Sequence, residues 1–489
     1  MRIIFFEVGF MKLNEMIVDL PVLQIVGDAN KNVDYLSCKA DKIKNNTMFF
    51  CIVGTKVDGH IFAQKVALEG ASVIVTERVL AISDVVTQVV VQDSRIFMSL
   101  CAKVFYKNAC DNLKIIGITG TNGKTSTTYI LKSILEDSGF TVGVIGTNGV
   151  WVDKKHYTTQ LTTPDPIELH EWFYKMFLNG VEYVLMEVSA HAIWLGKIEG
   201  IYFEIGVLTN FSRDHLDFFK NIDEYAEAKS KFFTKKYCKV AVVNGDDALG
   251  QKLAKQNKLP TITFGLDSPT DIFAIDEKIT AKGISYTINL FDEIATVEYG
   301  LKGKFNVFNT LCASSVARIL GINLEKIAQG ISKVECIEGR TEIYNLKNGC
   351  RVVVDFAHTP EGFANILAYL KSTTTGKLYC VFGCGGDRDK FKRPLMAKEV
   401  SKYCDFSIIT NDNPRYENPQ FIIKDILYGM SIPYDIVEDR QRAILQAINS
   451  ANGMDTIAIL GKGAERYQEV NGRRYPFCDA EIVKNFVME

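Results

Sequence analysis

The sequence of 489 residues has little net charge and no long apolar run. Its 56 Lys and Arg residues nearly balance 58 Asp and Glu, which leaves a net charge of -2 at pH 7. This balance excludes the strong overall positive field that attracts proteins to nucleic acid. No apolar run reaches about 18 residues, the length of a membrane-spanning helix. We therefore expect neither nucleic acid nor a membrane as a partner, and anionic substrates must be met by local patches.

The sequence also lacks closely spaced cysteine pairs. Its 12 cysteines are scattered, and no Cys-x-x-Cys pair occurs, which argues against a disulfide framework or a zinc site. We expect reduced, mostly buried thiols. The opening stretch is apolar in part, but Glu7 and Lys12 interrupt it and no small-residue cleavage site follows. We therefore predict no signal peptide and a cytoplasmic location.

The length predicts roughly three domains, at about 150 residues for each. Strands and helices alternate from "LKIIGITG" onward, and a second such series follows "EGRTEIY". This alternation predicts an α/β fold with a central P-loop-type, doubly wound and mostly parallel sheet, followed by a Rossmann-like α/β domain. A smaller α/β domain precedes both. The expected bounds are 1–111, 112–338 and 339–489.

The segment "GITGTNGKTSTTYI", from Gly117 to Ile130, joins a predicted strand to a predicted helix. A strict Walker A loop has a glycine five residues before the glycine of Gly-Lys-Thr, where this chain has Ile118. The turn can still form an anion cradle at the helix N-terminus, with Lys124 and Thr125 placed to meet a phosphate and its Mg²⁺. We predict nucleotide binding here rather than a plain turn, and the missing glycine argues against a generic P-loop ATPase.

Polar side chains follow two further predicted strands. Glu187 and Ser189 follow one, and Asp214, His215 and Asp217 follow the next. A carboxylate and an imidazole at adjacent strand ends could share a metal ion with nucleotide phosphates. Taken alone, a histidine at a strand end is more often a hydrogen-bonded structural residue. The Gly-Lys-Thr loop nearby in the chain favours the metal site.

A lysine occurs on the apolar face of the predicted helix "NIDEYAEAKSKFF", which starts at Asn221. Asn221 and Glu224 predict an N-cap, and the helical spacing of apolar residues places Lys229 among them. Two interpretations are open. The side chain can extend outward to solvent, or its amine can be desolvated with a lowered pKa, which would suit covalent modification or catalysis.

Several motifs occur in the order found in the Mur ligases of peptidoglycan synthesis, and the chain resembles that family from about residue 40 to its end. These motifs are "TGTNGKTSTT", "LTTPDP", "EVSAHA", "TNFSRDHLDFF" with Lys229 downstream, "GKFNVFNTLCA", "EGRTE", "VDFAHTPEG" and "GCGGDRDKFKRP". The variant phosphate loop is the one that this family uses. Within the family, the chain is most similar to members that add the third residue of the peptide.

The resemblance implies ATP as a substrate and two Mg²⁺ ions as cofactors. The implied ATP-binding residues are Gly120, Thr121, Asn122, Gly123, Lys124, Thr125, Ser126, Asn306, Asn309, Arg340, Asp355 and His358. The implied metal ligands are Thr125, Glu187, His215 and a carbamylated Lys229, and the implied catalytic residues are Lys124, His215 and Lys229. Without the resemblance, Asn306 and Asn309 would be interpreted as helix caps and Arg340 as part of a surface ion pair.

The resemblance also implies binding sites for the other two substrates. Residues for the UDP-N-acetylmuramoyl dipeptide are Thr162, Thr163, Ser189 and Lys197. The family often has Gln where this chain has Leu195, and its Asp-Ser-Arg signature for the uridine end is replaced by "KAD" at Lys39–Asp41. Residues for meso-diaminopimelate are Arg388, Asp412, Asn413, Pro414, Arg415, Gly461 and Glu465.

The arginine of "DNPR" bears on the choice of amino acid. In the family, arginine at this position goes with diaminopimelate, and lysine-adding relatives usually lack it. A guanidinium such as that of Arg415 can bind the second carboxylate of diaminopimelate through two hydrogen bonds, whereas lysine has no such group. Glu465 could pair with the distal ammonium. An Asx-type turn is the structural alternative for "DNPR", and it is compatible with this role.

The function that follows from the resemblance is ATP-driven amide ligation by a monomer, with closure of the domains around three substrates. Three alternatives stay open. One is the same ligase acting on L-lysine, and another is a relative that adds glutamate to folates, although such a relative would lack both the N-terminal domain and "DNPR". The third is an inactive nucleotide-binding homologue.

Overall fold

The structure is a computed structural model that describes residues 10–54, 57–256, 258–279 and 283–488. The chain divides into two compact units, of which the first takes in 1–117 and 141–204 and the second 118–140 and 205–489. Strands Lys114–Thr119 and Phe203–Leu208 pass from one unit into the other. The bounds of the three predicted domains stay a prediction. No helix within the described ranges is long and apolar enough to cross a membrane.

The first unit begins with a five-stranded sheet. Its strands in spatial order are Gln24–Val26, Thr87–Val90, Ala71–Thr76, Thr47–Phe50 and Tyr35–Ser37. The first pair is antiparallel and the others are parallel. The accompanying elements are the ribbon Met11–Lys12 with Asn32–Val33, the helices Leu13–Ile17, Ala63–Leu68 and Ser94–Phe105, and the 3-10 turns Gly59–Phe62 and Ala109–Asn112. Asp93 caps the longest of these helices by accepting from two of its first backbone amides.

The rest of the first unit contains four strands and two helices. The strands in spatial order are Lys155–Tyr157, Gly149–Val152, Val142–Gly146 and Tyr183–Glu187. The last two are parallel, as their alternation with the helix Pro166–Leu178 predicts, whereas the first three form antiparallel pairs that the sequence analysis did not anticipate. A short helix, Ala190–Trp194, follows the last strand and is capped by Ser189.

The second unit continues with strands that are first parallel and then antiparallel. After Phe203–Leu208 they are Cys238–Asn244, Thr261–Gly265, Ile272–Ile279, Ile284–Leu290 and Glu293–Tyr299. The first three of this list are parallel neighbours and the last three form an antiparallel meander. The helices are Lys124–Asp137, Ile222–Ser230, Ala248–Gln256, Phe305–Ile319 and Leu324–Ser332. The meander was not predicted, because its strands alternate exposed and buried residues instead of forming continuous apolar runs.

The C-terminal part of the second unit is a six-stranded sheet. Its strands in spatial order are Glu342–Asn345, Arg351–Asp355, Thr456–Leu460, Leu378–Phe382, Phe406–Ile409 and Tyr434–Ile436. Only the first pair is antiparallel. The helices are Pro360–Thr373, Lys392–Tyr403, Pro419–Leu427, Arg440–Ser450 and Asp479–Met488, and a hairpin pairs Tyr467–Val470 with Arg473–Pro476. Separate buried clusters lie on the two faces of this sheet, which is the doubly wound arrangement that the sequence predicts.

The cysteines agree with the expected reduced state. All twelve are free thiols, and all except the half-buried Cys38 and the exposed Cys336 are buried. Burial raises the pKa of the Cys51 thiol to about 12 and that of Cys384 likewise to about 12. Such thiols are poor nucleophiles and serve as small apolar side chains.

Candidate active site

Two glycines of the phosphate loop are required by its geometry. Gly120 and Gly123 have φ values of 147° and 81°, in the region that favours glycine. A side chain at Gly120 would overlap the hydroxyl of Thr209, and one at Gly123 would overlap the carboxamide of Asn309. The loop is therefore held tightly against its neighbours at the N-terminus of the helix Lys124–Asp137, where first-turn amide groups have no partner within the helix.

Lys124 and Thr125 lie directly after these glycines. The Lys124 ammonium donates to the carbonyl oxygens of Gly120 and Thr121, at 2.9 Å in each case. The hydroxyl of Thr125 accepts from the guanidinium of Arg340 at 2.8 Å, and that guanidinium stacks on the ring of Phe356. The contact between Arg340 and Thr125 brings a second cation to the phosphate loop.

Asn306 and Asn309 lie inside the helix Phe305–Ile319, whose first residue follows Lys304. Neither caps the helix, so that interpretation is wrong. The Asn306 carboxamide donates to the Lys302 carbonyl at 2.8 Å and accepts from Asn309 at 2.9 Å. This pair presents the Asn309 oxygen to Gly123, which places both residues beside the predicted ATP-binding loop.

Lys229 is buried, with 1% of its surface exposed. The interpretation in which it extends to solvent is therefore wrong. Its Nζ lies 3.5 Å from the Thr119 hydroxyl and 4.8 Å from the ring centre of Tyr225. Burial, followed by the positive charge of Lys124, holds the pKa of Lys229 well below its ordinary value. A buried amine with a lowered pKa is what the second interpretation requires.

The helix that carries Lys229 begins as predicted but ends earlier. Asn221 accepts from the Glu224 amide at 2.9 Å, and the Glu224 carboxylate accepts from the Lys220 amide at 2.6 Å, a reciprocal cap. The helix ends at Ser230, three residues before the end of the apolar pattern at Phe233. The buried ring of Phe233 belongs to the turn that follows, because tertiary packing also buries residues outside the helix.

Asp214 is a buried carboxylate with three positively charged or imidazole neighbours. Its two oxygens lie 3.0 Å from Lys392 Nζ, 3.5 Å from His215 Nε2 and 3.6 Å from His358 Nε2. Burial raises the pKa of Asp214, but Lys392 and then the two histidines lower it to well below its ordinary value. The predicted site residues His215 and His358 are therefore brought together by Asp214. Sequence analysis missed Lys392, which lies 178 residues from Asp214 along the chain.

Two more ion pairs join the same two loops. Arg213 lies 3.4 Å from Asp389, and Asp217 lies 3.4 Å from Arg388. With the Asp214–Lys392 pair, three ion pairs connect the two segments. The loop that carries His215 is thereby held against the loop that carries Arg388, a residue predicted to bind diaminopimelate.

Asp355 ends the strand Arg351–Asp355 and organises the loop beyond it. Its two oxygens each accept from a backbone amide at 2.7 Å, those of Thr341 and Ala357. Burial raises the pKa of Asp355, and the nearby Arg340 opposes this shift. Asp355 therefore positions the segment of Arg340 and the segment of His358 together.

The predicted residues of the first unit form a cluster of their own. The Thr163 hydroxyl donates to the Glu187 carbonyl at 2.8 Å and accepts from the Ser189 amide at 3.0 Å. The buried Glu187 carboxylate accepts from the hydroxyl of Thr147 at 2.8 Å, and this hydroxyl lies 3.1 Å from that of Thr162. These contacts bring three of the four residues predicted to bind the muramoyl substrate close to Glu187.

Lys197, the fourth of these residues, forms an ion pair with Asp165 at 2.7 Å. Asp165 directly precedes the helix Pro166–Leu178 and follows the threonines of "LTTPDP". The ion pair therefore connects the basic residue to the segment that carries Thr162 and Thr163.

Asn413 is at the centre of the "DNPR" loop. Its side-chain oxygen accepts from Lys462 Nζ at 3.0 Å and from the Glu469 amide at 2.9 Å, and its Nδ2 donates to Glu465 at 2.9 Å. Gly461 has a φ of 115°, and a side chain there would lie 2.9 Å from Asp412. Six of the seven predicted diaminopimelate residues, Asp412, Asn413, Pro414, Arg415, Gly461 and Glu465, are thus brought to one edge of the C-terminal sheet.

Arg415 is held in an uncommon backbone conformation, with a φ of 52°. Its amide donates to the Glu469 carbonyl at 3.0 Å and its carbonyl accepts from Asn471 at 2.7 Å, so the hairpin Tyr467–Val470 and Arg473–Pro476 fixes it. Its guanidinium donates to the Gly386 carbonyl at 2.7 Å and lies 3.8 Å from the Glu469 carboxylate. Arg388, the seventh predicted residue, lies near Arg415 at Gly385, where a side chain would lie 2.9 Å from Arg415 Nη1 and 3.6 Å from Arg388 Cγ.

Three of the predicted Mg²⁺ ligands suit this ion by their chemistry. Thr125, Glu187 and a carbamate on Lys229 would each supply oxygen atoms, the ligands that Mg²⁺ prefers. Within the described ranges, no three His, Cys, Asp or Glu side chains lie close enough to hold a metal ion on their own.

Comparison with known proteins identifies relatives along the whole chain. The family described as "Mur ligase middle domain" matches residues 118–317, and "Mur ligase, glutamate ligase domain" matches residues 339–463. The UDP-N-acetylmuramoyl-L-alanyl-D-glutamate–2,6-diaminopimelate ligase 1 of Clostridium acetobutylicum is 40% identical, covering 98% of this chain and 100% of the relative. The corresponding ligase of Caldanaerobacter subterraneus subsp. tengcongensis is 39% identical, and the match covers 95% of this chain and 97% of the relative. A solved structure of such a ligase is 29% identical with a TM-score of 0.69, and the match covers 98% of this chain and 99% of the chain in that structure.

Proposed function

The chain belongs to the Mur ligase family, and from this premise we propose that it adds meso-diaminopimelate to UDP-N-acetylmuramoyl-L-alanyl-D-glutamate with consumption of ATP. The observation that carries the proposal is the 40% identity over 98% of this chain to a relative named for that reaction. The match includes the N-terminal region, which a folate ligase would lack. The product is a precursor of peptidoglycan.

The proposed reaction has two chemical steps. The D-glutamate carboxylate attacks the γ-phosphorus of ATP, which releases ADP and leaves an acyl phosphate. The amine of diaminopimelate then attacks the acyl carbon, and the tetrahedral intermediate collapses with loss of phosphate and a proton. Negative charge gathers on the phosphoryl group in the first step, and the ammonium of Lys124 and the guanidinium of Arg340 stabilise it there.

We propose that Lys229 acts as a carbamate. Its neutral amine would attack carbon dioxide and lose a proton, which converts a buried amine into an anion with two oxygens. Thr125, Glu187, His215 and this carbamate are the proposed ligands of two Mg²⁺ ions. When bound, the ions would supply positive charge to the phosphoryl group. Burial of Lys229 and the depressed pKa of its amine support the proposal.

The "DNPR" loop and Glu465 are proposed to recognise the distal end of diaminopimelate, which carries both an ammonium and a carboxylate. One terminal nitrogen of Arg415 donates a hydrogen bond to the Gly386 carbonyl. The guanidinium has further N–H groups that can donate to a carboxylate. Glu465 uses one carboxylate oxygen, Oε2, for Asn413 and Lys462, which leaves Oε1 for the ammonium. We also propose a cytoplasmic, monomeric enzyme, as the family resemblance implies.

Phosphate release from ATP tests the proposal directly. The protein is incubated with Mg²⁺, ATP and UDP-N-acetylmuramoyl-L-alanyl-D-glutamate, and meso-diaminopimelate, L-lysine and no amino acid are compared. We expect turnover with diaminopimelate alone. Turnover with lysine instead would retain the ligase and contradict the choice of amino acid, and no turnover in any arm would favour the inactive homologue.

The same assay with Arg415→Ala tests the proposed carboxylate contact. We expect KM for diaminopimelate to rise by about a hundredfold, the loss of a bidentate contact to a charged group, while KM for ATP changes little. The control is Arg473→Ala, which removes an exposed arginine from the neighbouring hairpin. Unchanged diaminopimelate kinetics in Arg415→Ala would contradict this role.

A further inference from the structure

Lys462 is a second completely buried lysine, and neither the motifs nor the proposed mechanism gives it a role. It follows Gly461 at the end of the strand Thr456–Leu460 and has no exposed surface. Burying an ammonium costs several kcal/mol unless nearby groups compensate it. The side chains that offset the cost of burying the Lys462 ammonium therefore indicate the role of this residue.

Both hydrogen-bond partners of Lys462 belong to the proposed diaminopimelate site. Its Nζ donates to the Asn413 side-chain oxygen at 3.0 Å and to Glu465 Oε2 at 2.8 Å. Burial raises the pKa of Asp412, but Lys462, ahead of Arg440 and Arg415, lowers it to below its ordinary value. One cation thus acts on three residues of the site.

The contacts of the Asn413 side-chain oxygen decide which way its carboxamide faces. Lys462 Nζ and the Glu469 amide are donors only, so the atom that both contact must be the oxygen. The nitrogen must then face Glu465, to which it donates at 2.9 Å. Glu465 Oε2 accepts from both Asn413 Nδ2 and Lys462 Nζ, so only Oε1 remains for a ligand. Lys462 therefore contributes to the orientation of two predicted contact residues.

The charge of Lys462 also bears on which amino acid the site accepts. The side chain of diaminopimelate ends in an ammonium and a carboxylate and has no net charge, whereas that of L-lysine has a charge of +1. A buried cation beside Glu465 weakens the attraction of this carboxylate for a second ammonium and favours a carboxylate nearby. Removing Lys462 makes the site more negative by one charge, which favours lysine relative to diaminopimelate.

We propose that Lys462 is a specificity-determining positioning residue, which orients Asn413 and Glu465 and biases the site against amino acids whose side chain ends in an ammonium alone. The inference rests on the proposed function, because it concerns the amino acid that the same site accepts. In this proposal Lys462 does not contact the substrate itself. It acts through Asn413 and Glu465, which are the residues proposed to contact it.

The test is Lys462→Met in the full chain, with kcat and KM measured for meso-diaminopimelate and L-lysine. We expect the ratio of kcat/KM for diaminopimelate to that for lysine to fall by about tenfold or more, through KM for the amino acid, with KM for ATP nearly unchanged. Lys462→Arg keeps the charge and should retain most of the ratio.

Asp455→Ala is the matched control for lost stability. Asp455 is buried at the opposite end of the same strand, where its carboxylate accepts from the amides of Lys377 and Asn452 at 2.7 Å each. It should destabilise the domain without changing the ratio. Equal losses for both amino acids in Lys462→Met, as in Asp455→Ala, would show a purely structural role and overturn the proposal.

A crystal structure of Lys462→Met separates this inference from the proposed function. If the unaltered protein does not turn over diaminopimelate, the proposed function fails, but the positioning role can still be read from the coordinates. We expect the Glu465 carboxylate and the loop 412–415 to shift. An unchanged loop with Glu465 in its present position would overturn the positioning role.

Discussion

Lys229, in the helix Ile222–Ser230, and Lys462, in a loop, are both buried lysines near predicted substrate-binding residues, and their nearest hydrogen-bond partners differ. Lys229 Nζ lies 3.5 Å from the Thr119 hydroxyl, and burial and Lys124 keep its pKa well below its ordinary value. Lys462 Nζ lies 2.8 Å from the Glu465 carboxylate. A hydroxyl cannot balance a positive charge, whereas a carboxylate can. The same side chain therefore has a hydroxyl partner and a lowered pKa in one place, and forms an ion pair in the other.

The comparison shows that burial alone does not decide what a lysine does. The partners at hydrogen-bonding distance decide it. For Lys229 this partner is Thr119, 110 residues away. For Lys462 the partners are Glu465, three residues away, and Asn413, 49 residues away. Three sets of substitutions test the comparison.

Lys229→Ala should have the largest effect. Without a carbamate, turnover should fall by about a thousandfold, and a short carboxylate such as acetate should restore part of it by occupying the space of the missing anion. The measurement is phosphate release with and without added carboxylate. The control is Lys231→Ala, an exposed lysine two residues on. Full activity of Lys229→Ala without rescue would contradict the carbamate.

Thr119→Asp should convert the surroundings of Lys229 into those of Lys462. A carboxylate in place of the hydroxyl raises the pKa of the lysine, and the protonated amine cannot attack carbon dioxide. We expect a carbamate resonance in ¹³C NMR spectra under labelled carbon dioxide for the unaltered protein, its loss in Thr119→Asp, and about a hundredfold lower turnover.

Thr119→Val is the matched control for that experiment. It has the shape of threonine, removes the hydroxyl and adds no charge, so the carbamate resonance should persist. A resonance of equal intensity in Thr119→Asp would show that a nearby carboxylate does not decide the state of this amine.

The two lysines should also differ in stability when each is replaced by Met. Lys462→Met removes one hydrogen-bond partner from each of Glu465 and Asn413 and should lower the free energy of unfolding by about 2 kcal/mol. Lys229→Met removes an amine whose burial is unfavourable, so it should lower the free energy of unfolding by less than about 1 kcal/mol. Denaturant unfolding of both variants measures the difference. Equal losses would mean that the Glu465 contact contributes little.

Local sequence patterns predicted the features that depend on neighbouring residues. The cap at Asn221 follows from residue type and the position of Lys229 on the apolar helix face follows from helical spacing, and both are confirmed. Spacing alone left open whether the Lys229 amine is buried or extends to solvent. It also did not predict the end of the helix, which is at Ser230 although apolar residues continue to Phe233.

Residues that act through distant partners gave no local signal. Lys392 pairs with Asp214 across 178 residues, and in the sequence it is one of several basic residues at the start of a helix. Lys462 follows a glycine after a buried strand, as an exposed turn residue would. Only the meeting of loops at the strand ends shows that both are buried and paired.

The sequence by itself determined the α/β architecture, the phosphate loop and the family, because these depend on residue spacing within one segment. Tertiary structure decided that Thr119 lies beside Lys229 and that Asn413 lies beside Lys462. These contacts join segments that are far apart in the chain, and no spacing within a segment encodes them. The chemistry of Lys229 and of Lys462 follows from these contacts, since the free energy of a buried charge is set by its nearest partner.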